Sequence, residues 1–205
     1  MGQVIRMMKY DQGGNISNAI VSPLVINDAQ LIFHRLDDGV MGGNSVTDLK
    51  ALNDHAPLVF AGTINTDGGG FASIRSPLEK SLPAESTGIK LKYRGDGKTY
   101  KVLLSKGGGS GGPFSRDPSW QADLPTVEGE TTEMVIPFES FRPSFGGGGS
   151  SRHDMSSYVF HQEEIRQIGL MLSLKLSCGT NNPLETFGEG VFDFKLEMYE
   201  IDLLP

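Results

Sequence analysis

The sequence predicts an all-β fold, a sandwich or barrel of short strands. Apolar residues recur at every second position over many short segments, glycine-rich turn clusters separate those segments, and no stretch sustains a 3.6-residue helical stripe. The alternation is clearest at Ile168, Leu170, Leu172, Leu174 and Leu176, where polar or small residues intervene and Met171 alone breaks the polar face. Only an extended strand places those five side chains on one side.

In chain order, strands are expected at Leu31–Leu36, Leu58–Ile64, Phe71–Ser76, Ile89–Tyr93, Tyr100–Leu104, Met134–Phe138, Ile168–Leu176 and Phe192–Met198. Ile89, Leu91 and Tyr93 oppose Lys90, Lys92 and Arg94, while Phe192, Phe194, Leu196 and Met198 oppose Asp193, Lys195 and Glu197. The clusters TDGGG, RGDGK and GTNNP supply turns between them. About ten short strands at this spacing fit a sandwich or barrel. Glu139–Phe141 and Ser156–Ile165 have room for a helical turn or two. Residues 1–30 are read as an N-terminal extension and first strand region, and 31–205 as one sandwich domain, since no composition shift marks a linker.

Composition narrows the function classes. Eighteen basic and 25 acidic residues leave a net charge of −7, which disfavours a sequence-independent grip on nucleic acid. The 27 glycines among 205 residues fit a turn-rich β-protein. The single cysteine, Cys178, offers no disulfide partner and no paired-cysteine metal site. No apolar run reaches the ~20 residues of a membrane helix, and MGQVIRMMKY has neither a signal-peptide core nor a transit-peptide composition, so an intracellular protein is expected.

Several motifs admit a chemical reading and a plainer one. Gly107, Gly109 and Gly112 match a dinucleotide fingerprint and Gly108, Ser110 and Gly112 a nucleophile elbow, but PFSRDPSW follows, and its prolines argue against the helix both mechanisms need. The four histidines, His34, His55, His153 and His161, show no metal-ligand spacing. Asp37 and Asp38 share one ion only if the chain turns there; a solvated turn is the simpler reading. No catalytic residue, metal or cofactor is expected. The glycine-rich pieces 107–112 and 146–151 have the composition of flexible loops.

LDDGVMGGNS (Leu36–Ser45), DGGGFASIRS (Asp67–Ser76) and RGDGKTYKVLL (Arg94–Leu104) each set a glycine turn and charge beside a strand. With PFESF and IRQIGLML downstream, the chain resembles the complex I intermediate-associated protein 30 family over roughly Phe33–Ile201. That resemblance implies a galactose-binding-like jelly roll and a non-catalytic, protein-binding assembly factor or chaperone-like module. Its partners would be protein subunits of a larger assembly, respiratory complex I in the first place. Its location would be the mitochondrion, with the cytoplasm as alternative because no transit peptide is visible. Ser144–Ser151 departs from the family, which usually continues there through an Arg-Gly segment.

Asp38, Arg75, Arg94 and Asp96 each lie at or near a glycine turn at a strand end. They are expected to form one polar network at the sandwich edge, since two acids and two arginines can satisfy one another. On the alternative reading, a carbohydrate-binding module, Trp120, Tyr100 and Asp96 would be the stacking and hydroxyl-binding groups.

Overall fold

In a computed structural model of the chain, residues 19–51, 57–108, 110, 115, 117–145 and 155–205 are described. Their strands are β1 (Ala19–Ile26), β2 (Ala29–Arg35), β3 (Val46–Ala51), β4 (Leu58–Asn65), β5 (Phe71–Pro77) and β6 (Gly88–Arg94), followed by β7 (Thr99–Ser105), β8 (Ser119–Pro125), β9 (Thr131–Pro137), β10 (Arg142–Ser144), β11 (Gln167–Ser173) and β12 (Val191–Leu204). They form two antiparallel sheets, ordered β1-β2-β5-β11-β7-β8-β10 and β3-β4-β12-β6-β9. The predicted jelly-roll sandwich is therefore the fold, and its apolar inner faces meet in one core.

The alternating segments sit where their periodicity places them. Ile168, Leu170 and Leu172 of β11 face Phe194, Leu196 and Met198 of β12 across the core, and all six are buried. Phe60, Tyr100 and Phe194 fill its middle, with the Phe60 and Phe194 rings edge-on at 4.9 Å. Such aromatic pairs add to the gain from burying their area.

The differences from expectation have local causes. β11 ends at Ser173, not Leu176: the Leu174 amide turns to the Gly70 carbonyl and the Leu176 amide to that of Thr180. β1 was hidden by Pro23 and by a register shift between Val21 and Val25, both tolerable at a sheet edge. β8 shows no alternation because Ser119, Trp120, Gln121 and Ala122 are all buried. Single 3-10 turns occur at Phe138–Ser140, Met155–Ser157 and Gln162–Glu164, and a four-residue helix, α1 (Leu184–Phe187), was unforeseen. His55, His153, Gly109, Gly112 and the 146–151 loop lie outside the described residues.

Candidate functional site

The four residues expected to form one network do not meet. Among the described residues no ion pair or hydrogen bond joins any two of them, and each has a local task that its turn imposes.

Asp38 is buried between two glycine turns. Its Oδ1 accepts from the Ser45 amide at 2.9 Å, and its Oδ2 from the Ser45 hydroxyl at 2.6 Å, the Gly70 amide at 2.7 Å and the Phe71 amide at 3.3 Å. Burial alone would raise the Asp38 pKa, but the Ser45 hydroxyl and the Gly70, Ser45 and Phe71 amides outweigh it and hold it below the ordinary value. A Cβ on Gly43 or Gly69 would come within 2.3 Å of this carboxyl group, so both turns close on Asp38 only with glycine there. Neighbouring Asp37 points elsewhere, accepting from Thr47 and the Ser73 amide. Both aspartates thus tie the start of β3 to β5, each through its own set of donors.

Asp96 accepts from the Tyr100 hydroxyl at 3.0 Å and the Lys195 amide at 2.9 Å, and pairs with Lys98 at 3.3 Å. It joins the two sheets at one end. Burial and the Asp96 charge push the Tyr100 hydroxyl well above its ordinary pKa. Tyr100 and Trp120 are core residues, the latter 6% exposed with its ring edge-on to Phe160 at 5.3 Å. Neither presents a ring face to a sugar, which corrects their assignment as stacking groups. Arg94 is exposed on the outer face of the five-stranded sheet, register partner of Glu197 and close to Tyr199.

Arg75 lies on the opposite side of the sandwich, on the outer face of the seven-stranded sheet. Its register neighbours run His34 on β2, Arg75 on β5, Gly169 on β11, Leu103 on β7, Gln121 on β8 and Arg142 on β10. One step along the strands, the row is Ser73, Met171, Lys101 and Asp123.

The two outer faces differ in kind. On the five-stranded sheet Lys90 and Lys92 pair with Glu133, and Lys195 pairs with Glu197, as on an ordinary solvated face. On the seven-stranded sheet Leu103 is 2% exposed, Lys101 4% and Met171 7%. Arg75 is half-buried, and its Nη1 is shielded from water with no hydrogen-bond partner. Burial lowers its pKa to about 10. Lys101 makes no ion pair or hydrogen bond among the described residues; the Asp123 carboxylate opposite it accepts from the Ser177 amide and hydroxyl, both at 2.8 Å, and keeps its charge. Burial brings Lys101 down to about 8, Arg75 adds to the fall, and Asp123 and Cys178 oppose it.

Two shielded cations without a hydrogen bond or ion pair among the described residues, set beside Leu103 and Met171 with the Asp123 carboxylate opposite Lys101, leave donors on this face unused. The sequence marked Arg75 by its place after a glycine turn but missed Lys101, Gly169 and the half-buried Phe71, which shares this face. The available signal was the pair of apolar residues, Leu103 and Met171, at outward positions of their strands. Among the described residues no group of three or more metal-ligating side chains gathers, and no helix is long and apolar enough to cross a membrane.

A sequence model of the family described as complex I intermediate-associated protein 30 matches residues 27–198. Compared by sequence with curated proteins, the chain matches none significantly. Among solved structures it is similar to the family 11 carbohydrate-binding module of the cellulosomal cellulase Lic26A-Cel5E of Clostridium thermocellum, with a TM-score of 0.55 and 13% identity over 93% of this chain and 96% of that one. It is similar also to the family 11 module from Clostridium thermocellum in complex with a β-1,3-1,4-mixed-linked tetrasaccharide, with a TM-score of 0.50 and 16% identity over 84% and 86%. At such identities the likeness is one of fold.

Proposed function

The chain belongs to the complex I intermediate-associated protein 30 family, and from that membership we propose that it is a non-catalytic, protein-binding assembly factor that engages subunits of respiratory complex I, in the mitochondrion. The family match spans the sandwich almost entirely, from the end of β1 to the middle of β12. The observation that carries a binding role is the outer face of the seven-stranded sheet. Arg75 and Lys101 lie there unpaired beside Leu103 and Met171, whereas the opposite face is laced with ion pairs. The groups on this face suit recognition: cations, amides and apolar side chains, with no nucleophile held by a base and an orienting group. Affinity purification of the tagged chain from mitochondria is expected to recover complex I subunits. Recovery of none would overturn the proposal.

Carbohydrate binding is the second reading, and the observation favouring it is Phe71, a half-buried aromatic ring on the same face beside Ser73 and Ser173. A glycan-array signal that disappears in Phe71→Ala would move the assignment to sugar.

A further inference from the structure

The partner chemistry of this face follows from how its two cations are held. Arg75 and Gly169 are register partners on β5 and β11, and a Cβ on Gly169 would lie 2.7 Å from both Cδ and Nη1 of Arg75. The arginine side chain therefore lies down across β11 and reaches toward β7, where Leu103 is the next residue in its row and Lys101 is one step away. A guanidinium in that pose keeps donors pointing over the sheet, and a shielded Nη1 without a partner is a donor that folding has stripped of water and not repaid. Lys101 lies beside it without a direct partner among the described residues, opposite the Asp123 carboxylate that accepts from Ser177.

We infer that Arg75 and Lys101 together receive the carboxylate of an acidic side chain presented by a partner protein. This inference rests on the protein-binding reading above. A carboxylate accepts from a guanidinium fork and an ammonium at once, in the strong charge-assisted form. An acidic side chain fits better than a free inorganic anion because exposed apolar groups border the cations. Leu103 and Met171 flank the cations, and Val21 and Ile32 pair at the β1–β2 edge of the same face with 47% and 42% of their surface exposed. Val21 and Ile32 give the apolar neighbours of a glutamate something to cover. The net charge of −7 confines the attraction to this spot, since the rest of the surface repels an acidic segment.

The test is a backbone amide NMR titration of the whole chain with doubly blocked glutamate (N-acetyl, C-amide), the equivalent blocked glutamine, and inorganic phosphate. The expected result is saturable shifts at Lys101, Leu103, Gly169 and Met171 with blocked glutamate and none with blocked glutamine. Arg75→Gln and Lys101→Met are each expected to weaken that binding about tenfold, the size of one charge-assisted hydrogen bond. Lys195→Met, on the other sheet, should leave it unchanged. Equal or tighter binding of phosphate at the same amides would overturn the acidic-side-chain assignment in favour of a free anion. Absence of saturable shifts would overturn the site. The pull-down separates this inference from the function it rests on. Complex I subunits recovered equally by wild type and Lys101→Met would remove the site and leave the assembly reading. Glutamate binding with no subunits recovered would do the reverse.

Discussion

Arg75 and Gly169 face each other across β5 and β11, and the glycine is where the arginine lies: a methyl group there would sit 2.7 Å from Arg75 Cδ and Nη1 and 2.5 Å from the Ile74 carbonyl oxygen. Two motifs far apart in the chain, DGGGFASIRS and IRQIGLML, thus meet at one point of the sheet. Gly169→Ala is expected to push Arg75 off β11 and strain the strand pairing, costing about 2 kcal/mol. Gly39→Ala, where nothing lies within 4 Å, should cost little. Urea unfolding of both variants checks the contrast, and equal midpoints would refute it.

Asp38 serves folding. Asp38→Asn keeps the shape but turns an NH2 toward donors that now point at oxygen, so the variant should lose about 3 kcal/mol, as when one partner of a buried charged hydrogen-bond set is removed. The acid branch gives a second check. The folded pKa of Asp38 is held below its ordinary 3.8, so its stabilisation is complete above that value and is lost as pH falls through the lower folded value. Wild type should therefore shed its advantage over Asp38→Asn in acid, measured as converging melting temperatures. A gap that persists to the lowest accessible pH would contradict this.

The fold was more legible in the sequence than the site. Strands such as β6 and β12 bury one face, so their period-two pattern gives both their existence and their core side. β8 is buried on both faces, and a run such as SWQADL has no alternation to read. The site suffered from the same geometry. Positional reasoning placed Asp38, Arg75, Arg94 and Asp96 at glycine turns, yet those turns lie on different sides and ends of a sandwich, and sequence proximity to glycine says nothing about which. Arg94 alternates outward on β6, whereas Arg75 alternates outward on β5 of the other sheet. Lys101 reads as an ordinary outward lysine until β11 and β8 flank it and bury it.

The two sheets should respond differently to loss of a buried side chain and of a surface charge. Leu172→Asp places an unpaired charge in the middle of the core, where the leucine is fully buried, and should leave too little stability to fold. Lys90→Gln removes one of two cations on Glu133 at an exposed, solvent-screened site and should leave stability almost unchanged. Thermal melts of the soluble fraction decide this. A folded Leu172→Asp protein would mean that β11 is not central.

Lys101 makes the sharpest prediction, because the sign of its effect is unusual for a lysine. Its charged form is penalised by burial and by Arg75, so its pKa falls from 10.5 in the unfolded chain to about 8 in the folded one. Below pH 8 both states carry the proton and the fold bears the whole penalty, about 3 kcal/mol for a shift of this size. Between pH 8 and 10.5 the unfolded chain holds a proton that the folded protein has released, so this contribution to stability rises with pH. Tyr93, raised to about 12 by burial, works the other way once unfolded tyrosines ionise near pH 10, which confines the clean window to about pH 8–10. Lys101→Met removes the ionisable group and keeps the stem. The variant should be more stable than wild type at pH 7, and its advantage should shrink steadily across that window in parallel denaturant titrations. A pH-independent difference, or a Lys101→Met variant less stable than wild type at pH 7, would show that Asp123 already offsets the burial of Lys101 and would remove the reason for it to seek a carboxylate in a partner.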